Sequence, residues 1–390
     1  MKRVFTPAKQ KTILIVDDDL VADQLYREKF QGRGFKVEIA ADGHSAGERL
    51  KASDVDLVIV DLCLPGTNVI ELVKSTRSSA PSLPIIAFSN PYLGSLRRAA
   101  TEAGATKCIP KRETTPDQMV DLARELGVVS TTRSVTVNEA ETFETNRRNF
   151  AAQLLMNGPE AIVKLRAGYQ AFARAQEAEL RRAELGQMQR LLRLLTGGAS
   201  LVGFEKIARM SRALEALLFE LQAKPEKITP SVIRTVGQTV DTLASLFVGA
   251  ANPRPEVDVP PKILVVDDEV ISREMICSAL GRVGLEAISK DDPLAAQQLL
   301  EREHVDLIFL DVEMPGQSGL ELCKRIRGTD LNRATPVVFV TSHSDFGSRA
   351  QSTLSGGNDF IAKPFLLVEL AVKALTLLFK ESASSPSPTK

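Results

Sequence analysis

Two aspartates 44 residues apart occur twice in this chain, Asp17 with Asp61 and Asp267 with Asp311. Each ends a short apolar run: Ile13–Val16, Val55–Val60, Ile263–Val266 and Leu307–Leu310. Such runs, bounded by turn signals, read as strands buried on both faces of a parallel sheet. In open α/β sheets, ligands bind beyond the carboxyl ends of the strands, where these acids stand. The register continues downstream, because Ser89 to Lys111 is 22 residues and so is Thr341 to Lys363. One interval differs: 28 residues from Asp61 to Ser89 against 30 from Asp311 to Thr341, which a loop absorbs. A repeat this long means two homologous domains rather than a solenoid.

Around these acids, strand and helix patterns alternate, as in a parallel α/β sheet. The first copy adds strands at Val37–Ala40 and Ile85–Phe88 and a weak fifth at Cys108–Ile109; the second adds Val337–Val340 and Phe360–Ala362. The expected domains are 1–130 and 262–380. Residues 131–144 read as a polar linker, 251–261 as a stiff Pro-rich linker and 381–390 as a disordered Ser/Pro-rich tail. Residues 145–250 are helical in pattern. Phe204, Ile207, Met210, Leu214, Leu217, Leu218 and Leu221 mark one face, and Ile228, Val232, Val236, Val240, Leu243 and Phe247 another. Breaks at Gly158–Pro159, Gly197–Gly198 and Lys224–Pro225 predict an antiparallel bundle.

Composition closes off several classes. A formal net charge of zero offers no case for nucleic acid or a membrane surface as partner. No apolar run approaches the ~18 residues of a membrane span, and no apolar stretch follows the basic N-terminus as in a signal peptide. Cys63, Cys108, Cys277 and Cys323 lack CxxC or zinc-type spacing and read as reduced thiols. A cytoplasmic protein is expected.

Each copy places three carboxylates at neighbouring strand ends: Asp17, Asp18 and Asp61, then Asp267, Asp268 and Asp311. Three crowded like charges are unfavourable without a cation. Mg²⁺ takes one or two carboxylates with waters and a phosphoryl group. A carboxylate can also attack phosphorus. Hydroxyl and ammonium groups neutralise the transferring oxygens, and Ser89 with Lys111 and Thr341 with Lys363 supply them at the remaining strand ends.

Val-Asp-Asp-Glu at 266–269, Leu-Asp-Val-Glu-Met-Pro-Gly-Gln-Ser-Gly at 310–319, Thr341 and Lys363-Pro364-Phe365 resemble the receiver domain of two-component response regulators. Val-Asp-Asp-Asp at 16–19, Val-Asp-Leu-Cys-Leu-Pro-Gly at 60–66, Ser89 and Lys111 resemble a second receiver. The resemblance implies two flavodoxin-like, doubly wound five-stranded parallel sheets, each in the order 2-1-3-4-5, flanking the helical bundle. It implies phosphorylation of Asp61 and Asp311 by a histidine kinase or histidine phosphotransfer protein, with Ser89, Lys111, Thr341 and Lys363 on the phosphoryl group. Mg²⁺ would be held by Asp18, Asp61, Asp268 and Asp311, with Asp17 and Asp267 beside it and the backbone carbonyls of Cys63 and Glu313 completing the set. Such a chain is a phosphoacceptor with at most self-catalysed phosphorylation and dephosphorylation, and not otherwise an enzyme. The copies are unequal. The second has Gly319, Phe360 at the position of the family's aromatic switch and Lys363–Pro364, where the family has a cis bond. The first has Val69, Cys108 and Arg112 where Gly, an aromatic and Pro are usual.

Arg193-Leu-Leu-Thr-Gly-Gly-Ala-Ser-Leu-Val-Gly-Phe204 resembles the motif of histidine phosphotransfer domains, with Arg193 in the place of the His and Thr196 in that of the Lys. The chain's three histidines are His44, His304 and His343, so no phosphohistidine can form between 131 and 260. The segment is expected to serve docking or dimerisation, which makes a homodimer one expected state. Residues 145–250 carry 15 Lys and Arg against 9 Asp and Glu, a net +6 that suits an acidic receiver surface. Arg193 itself reads as a solvated helix-face residue. No helix-turn-helix or other output module is recognisable, so output is expected through a downstream protein. The rivals are a scaffold of unphosphorylated receivers and an aspartate-nucleophile phosphatase. The second resembles an Asp-x-Asp pattern that Asp311-Val312-Glu313 and Asp61-Leu62-Cys63 lack. No Gly-x-Gly-x-x-Gly follows a strand, which removes a dinucleotide site.

Overall fold

The structure is a computed structural model that describes residues 10–18, 20–64, 66–89, 93–110, 114, 116–129, 139–251, 260–342 and 356–384. Lys111, Arg112, His343 and the segments 131–138, 252–259 and 385–390 lie outside the described residues, as does the side chain of Ser89. The chain forms two compact units, one of residues 1–156 with 193–208, the other of 157–192 with 209–390.

The first unit holds a five-stranded parallel sheet in the order β2-β1-β3-β4-β5. Its strands are β1 (Thr12–Val16), β2 (Lys36–Ala40), β3 (Leu57–Asp61), β4 (Ile85–Ser89) and β5 (Lys107–Pro110). The helices are α1 (Leu20–Gly32), α2 (Gly43–Ala52), α3 (Val69–Ser79), α4 (Gly94–Glu102) and α5 (Pro116–Glu125). Side chains alternate across the pleat. Leu14, Val16, Val58 and Val60 join one core, and Ile13, Ile15, Leu57 and Ile59 join the other. Both faces are covered, which is why the strands are apolar without interruption.

Between the sheets in sequence lie α6 (Glu139–Arg174), α7 (Ala178–Val202), α8 (Glu205–Ala223), a 3₁₀ turn at Pro225–Lys227 and α9 (Pro230–Ala251). The break at Lys224–Pro225 is present; the other two expected breaks are not. Helix α6 runs through Gly158–Pro159 and α7 through Gly197–Gly198. Their glycines serve close packing instead. A Cβ on Gly158 would lie 2.3 Å from the Phe247 ring, and one on Gly198 would lie 3.2 Å from Leu154. Helix α6 also begins at Glu139, inside the stretch expected to be linker. Within the second unit, Phe247 and Gly237 of α9 meet Gly158 and Tyr169 of α6, Met188 of α7 meets Gly168, and Arg166 pairs with Asp241 at 2.6 Å.

The second unit's sheet is also five-stranded and parallel, in the order β7-β6-β8-β9-β10. Its strands are β6 (Ile263–Val266), β7 (Ala287–Lys290), β8 (Leu307–Asp311), β9 (Val337–Thr341) and β10 (Asp359–Ala362). The described helices are α10 (Val270–Gly281), α11 (Pro293–Leu300), α12 (Gly319–Arg327) and α13 (Leu367–Ser384). Helix α13 thus takes in residues 381–384, a stretch expected to be tail.

The repeat extends to side-chain devices. Asp42 and Asp292 cap α2 and α11. The Asp56 carboxylate accepts from the Thr12 amide at 2.8 Å, and that of Asp306 accepts from the Lys262 amide at 2.7 Å. Arg77 donates to the carbonyls of Gly104 (3.0 Å) and Pro81 (2.7 Å). Arg327, 250 positions on, donates to those of Gly356 and Thr335, both at 2.8 Å. Each arginine ties the loops that open the fourth and fifth strands of its sheet and so holds those strands in register.

Candidate functional site

In the second unit, β6 delivers Asp267 and Asp268 and its neighbour β8 delivers Asp311, because Val266 pairs with Leu310. One carboxylate oxygen from each of the three lies within 4.8 Å of the others. Asp267 and Asp311 are buried and Asp268 is exposed. Asp267 is firmly held: it accepts from Ser272 Oγ at 2.5 Å, the Glu269 amide at 2.9 Å and Lys363 Nζ at 2.9 Å. Lys363 Nζ also stands 3.4 Å from Asp311 Oδ1.

Burial pushes the Asp311 carboxyl up to about 6; Lys363 pulls against this, and the charge of Asp267 adds to it. Burial disfavours the charged Lys363, but its bonds to Asp267 and Asp311 outweigh that and raise it overall. The loss of water around the carboxylate, rather than an excess of negative neighbours, keeps the proton on Asp311, because the pull of Lys363 outweighs the push of Asp267. Hard oxygens in this arrangement fit a divalent cation of the Mg²⁺ kind.

The remaining expected residues converge from β9 and β10. Thr341 is buried at the end of β9, beside β8. The Lys363 amide donates to the Thr341 carbonyl at 2.7 Å, and Lys363–Pro364 is cis. Glu313 is exposed, in the turn after Asp311. Gly319 is required sterically, since a Cβ there would lie 1.9 Å from the Asp311 carbonyl oxygen. Its amide donates to the Val312 carbonyl at 3.0 Å, and Ser318 forms a capping box with Glu321, so α12 starts hard against the acid.

In the first unit the same scaffold carries different surroundings. β1 and β3 pair through Val16 and Val60, so Asp17, Asp18 and Asp61 again stand at adjacent strand ends. Asp17 and Asp61 are buried, and Asp61 Oδ1 accepts from the Cys63 amide at 2.8 Å. Val69 replaces Gly319 and begins α3 behind an Asn68 cap. Arg193 is not solvated as expected. It is buried, donating from Nη1 to Asp18 Oδ1 and from Nη2 to the Cys63 carbonyl. Among the described residues, Asp267, Asp268 and Asp311 are the one group of three such ligands close enough to share an ion. In this arrangement the first site's oxygens fit a guanidinium rather than a metal. The sequence signal for Arg193 was its place in the resembling motif; its partner, 175 residues away in sequence, left none.

The family model described as response regulator receiver domain matches residues 13–124 and 263–375, more than half of the chain. The phosphate regulon transcriptional regulatory protein PhoB of Pseudomonas aeruginosa is 34% identical over 116 residues, covering 30% of this chain and 51% of PhoB. The transcriptional regulatory protein ResD of Bacillus subtilis is 37% identical over 136 residues, covering 33% and 54%. The chain thus spans about half the length of the curated relatives it matches. Among solved structures, the chemotaxis response regulator CheY4 of Vibrio cholerae matches at 26% identity and TM-score 0.30, covering 31% of this chain and all of that one. The receiver domain of the sensor histidine kinase PA1611 of Pseudomonas aeruginosa, solved with a magnesium ion in its active site cleft, matches at 27% identity and TM-score 0.29, covering 31% and 99%. No described helix is long and apolar enough to cross a membrane.

Proposed function

Because this chain belongs to the response regulator receiver domain family, we propose that it is a phosphoacceptor of two-component signalling that takes a phosphoryl group on Asp311. The observation that carries this reading is the gathering of Asp267, Asp268 and Asp311 around one point with Lys363 reaching in. Asp268, Asp311 and the Glu313 carbonyl would hold Mg²⁺, with Asp267 beside it. The ion would neutralise the oxygens of the incoming group. An Asp311 oxygen attacks phosphorus, an O–P bond forms, and the donor imidazole leaves as its P–N bond breaks. The Lys363 ammonium and Thr341 hydroxyl then bind phosphoryl oxygens. Residues 131–260 hold no histidine, so the donor histidine comes from a kinase or phosphotransfer protein. Asp61 is the second acceptor of this reading. The chain turns over no separate substrate, and the 145–250 segment is a docking relative of phosphotransfer domains.

Output runs through the face of β10. Phe360, three positions before Lys363, is buried, with the Arg234 guanidinium of α9 4.5 Å from its ring centroid. Ser231 Oγ donates to the Phe360 carbonyl (3.2 Å) and to Glu369 (2.8 Å), and Thr239 bonds Thr376 at 3.0 Å. A pull on Thr341 and Lys363 therefore reaches α9 through one strand, a local charge change biasing a packed interface. The test is labelling of the full chain by a small phosphodonor with Mg²⁺, with the modified residue located by peptide mapping. Label on the 307–324 peptide, lost in Asp311→Asn, is expected. Asp311 left unlabelled, or multiple turnover of a phosphate ester, overturns the reading.

A further inference from the structure

The first acidic site is occupied by part of the chain itself. Arg193 is 6% exposed, and its fork spans the Asp18 carboxylate and the Cys63 carbonyl, all within one compact unit. The second copy shows what these two oxygens are otherwise for. Moved by 250 positions they become the Asp268 carboxylate and the Glu313 carbonyl, and Asp268 is one of the three acids gathered in that copy. A carboxylate and a carbonyl are hard donors of the kind a divalent cation takes. A guanidinium is a planar cation whose paired N–H groups bridge two such oxygens. The two cations cannot hold the same oxygens together, since Mg²⁺ needs its ligands at about 2.1 Å on all sides. The seat is built as well as charged: Leu195 and Ala199, on the same helix, are buried, and Gly198 lets Leu154 pack closely.

The geometry points to Arg193 as a built-in substitute for the divalent cation at the first acidic site, so that metal entry at Asp18 and docking of the 193–208 segment exclude one another. This rests on the reading that the matching oxygens of the second copy bind metal. While Arg193 is docked, Asp61 has positive charge nearby but no open cation position for a phosphodonor to share, and the first acceptor is idle. Cation loading of that site expels the end of α7. The residue standing where the resembling motif carries its histidine thus brings a fixed charge and no phosphoryl group, turning a donor position into a latch.

The experiment is a titration of the full chain with Mn²⁺, counted by electron paramagnetic resonance, with hydrogen exchange followed across residues 193–202. The wild type is expected to bind one ion tightly, abolished by Asp268→Asn, and a second at least about tenfold more weakly, the scale of one charge-assisted fork. Filling of the second site is expected to raise exchange at 193–202. Arg193→Ala brings the second affinity close to the first, and Arg193→Lys, which keeps the charge but not the fork, falls between. Two equivalent sites in the wild type, or a second site unmoved by either substitution, overturn the latch and leave the proposed function standing. A wild type that binds no Mn²⁺ overturns both. Should both variants fail to fold, the wild type decides alone, because a second ion entering without a rise in exchange at 193–202 overturns the latch.

Discussion

The two receiver halves share a backbone and differ in which end of it is engaged. In the C-terminal half the acids are gathered about a point, while β10 and α13 are buried under α9. In the N-terminal half the acids meet Arg193, while α5 shows an exposed face with Asp117, Asp121 and Arg124 on it. Charge at matching positions follows this division. Lys107 of β5 pairs with Glu125 at 3.0 Å on the surface; Asp359, at the same register of β10, pairs with Lys373 at 2.6 Å in the interior. A shared scaffold thus leaves open which face does the work. Side chains at a few matched positions decide that.

The widest gap between the halves is expected at those two ion pairs. Lys373 is 1% exposed, and removing it leaves the buried Asp359 carboxylate with the Phe360 amide at 2.8 Å and the Arg234 guanidinium at 3.3 Å but without its close ammonium. Breaking a buried pair by one partner costs about 3–5 kcal/mol, whereas Glu125→Ala, at an exposed pair, costs about 0.5 kcal/mol. Urea unfolding followed by hydrogen exchange in each half separates the two. A Lys373→Ala cost near that of Glu125→Ala would mean that water reaches the β10 face.

Next in size is Gly319→Ala. The added methyl would sit 1.9 Å from the Asp311 carbonyl, a backbone atom with little room to yield, so α12 must move. About 3 kcal/mol is expected, with weaker Mn²⁺ binding because Asp311 moves. Val69→Ala, at the matched position, only removes two buried methyls, about 2 kcal/mol, and leaves its acid in place. Equal metal affinity in wild type and Gly319→Ala would show that the loop tolerates the displacement.

Nine of the ten described strands and the acids at their ends were legible because buried parallel strands are apolar and the repeat kept one register. The exception is β7 (Ala287–Lys290), an edge strand with half-exposed side chains that left no apolar run, and the strand order came with the resemblance. Helix ends were less legible. Glycine at 158 and 198 signals equally a break or a close approach, and only the arrival of Phe247 and Leu154 distinguishes them. Arg77 and Arg327 left no periodic trace, since they bond loop carbonyls reached only after folding. Arg193 escapes sequence reading for the same reason: a charged residue on a helix is usually solvated, and the acidic seat that buries it comes from another part of the chain.

The smallest expected effect separates the halves by pH. Asp311 sits at about 6, above the ordinary carboxylate value of 3.8, with burial the main cause. The folded state therefore binds this proton more tightly than the unfolded one. Its contribution favours folding below pH 4 and is lost as pH rises through 6, so without metal the C-terminal half is destabilised across that window and level above it. The distance between those two values sets a ceiling of about 3 kcal/mol, of which about 2 kcal/mol remains after screening by the open side of the site. Asp311→Asn is then expected to stabilise the metal-free chain by about 2 kcal/mol at pH 7.5 and by almost nothing at pH 4. Saturating Mg²⁺ reverses the order by stabilising the wild type more. The check is urea unfolding with chelator and then with Mg²⁺ at both pH values. An asparagine variant no more stable than wild type at the higher pH would mean that Lys363 alone satisfies Asp311, and that the C-terminal acids make no greater demand for a cation than the arginine-latched set.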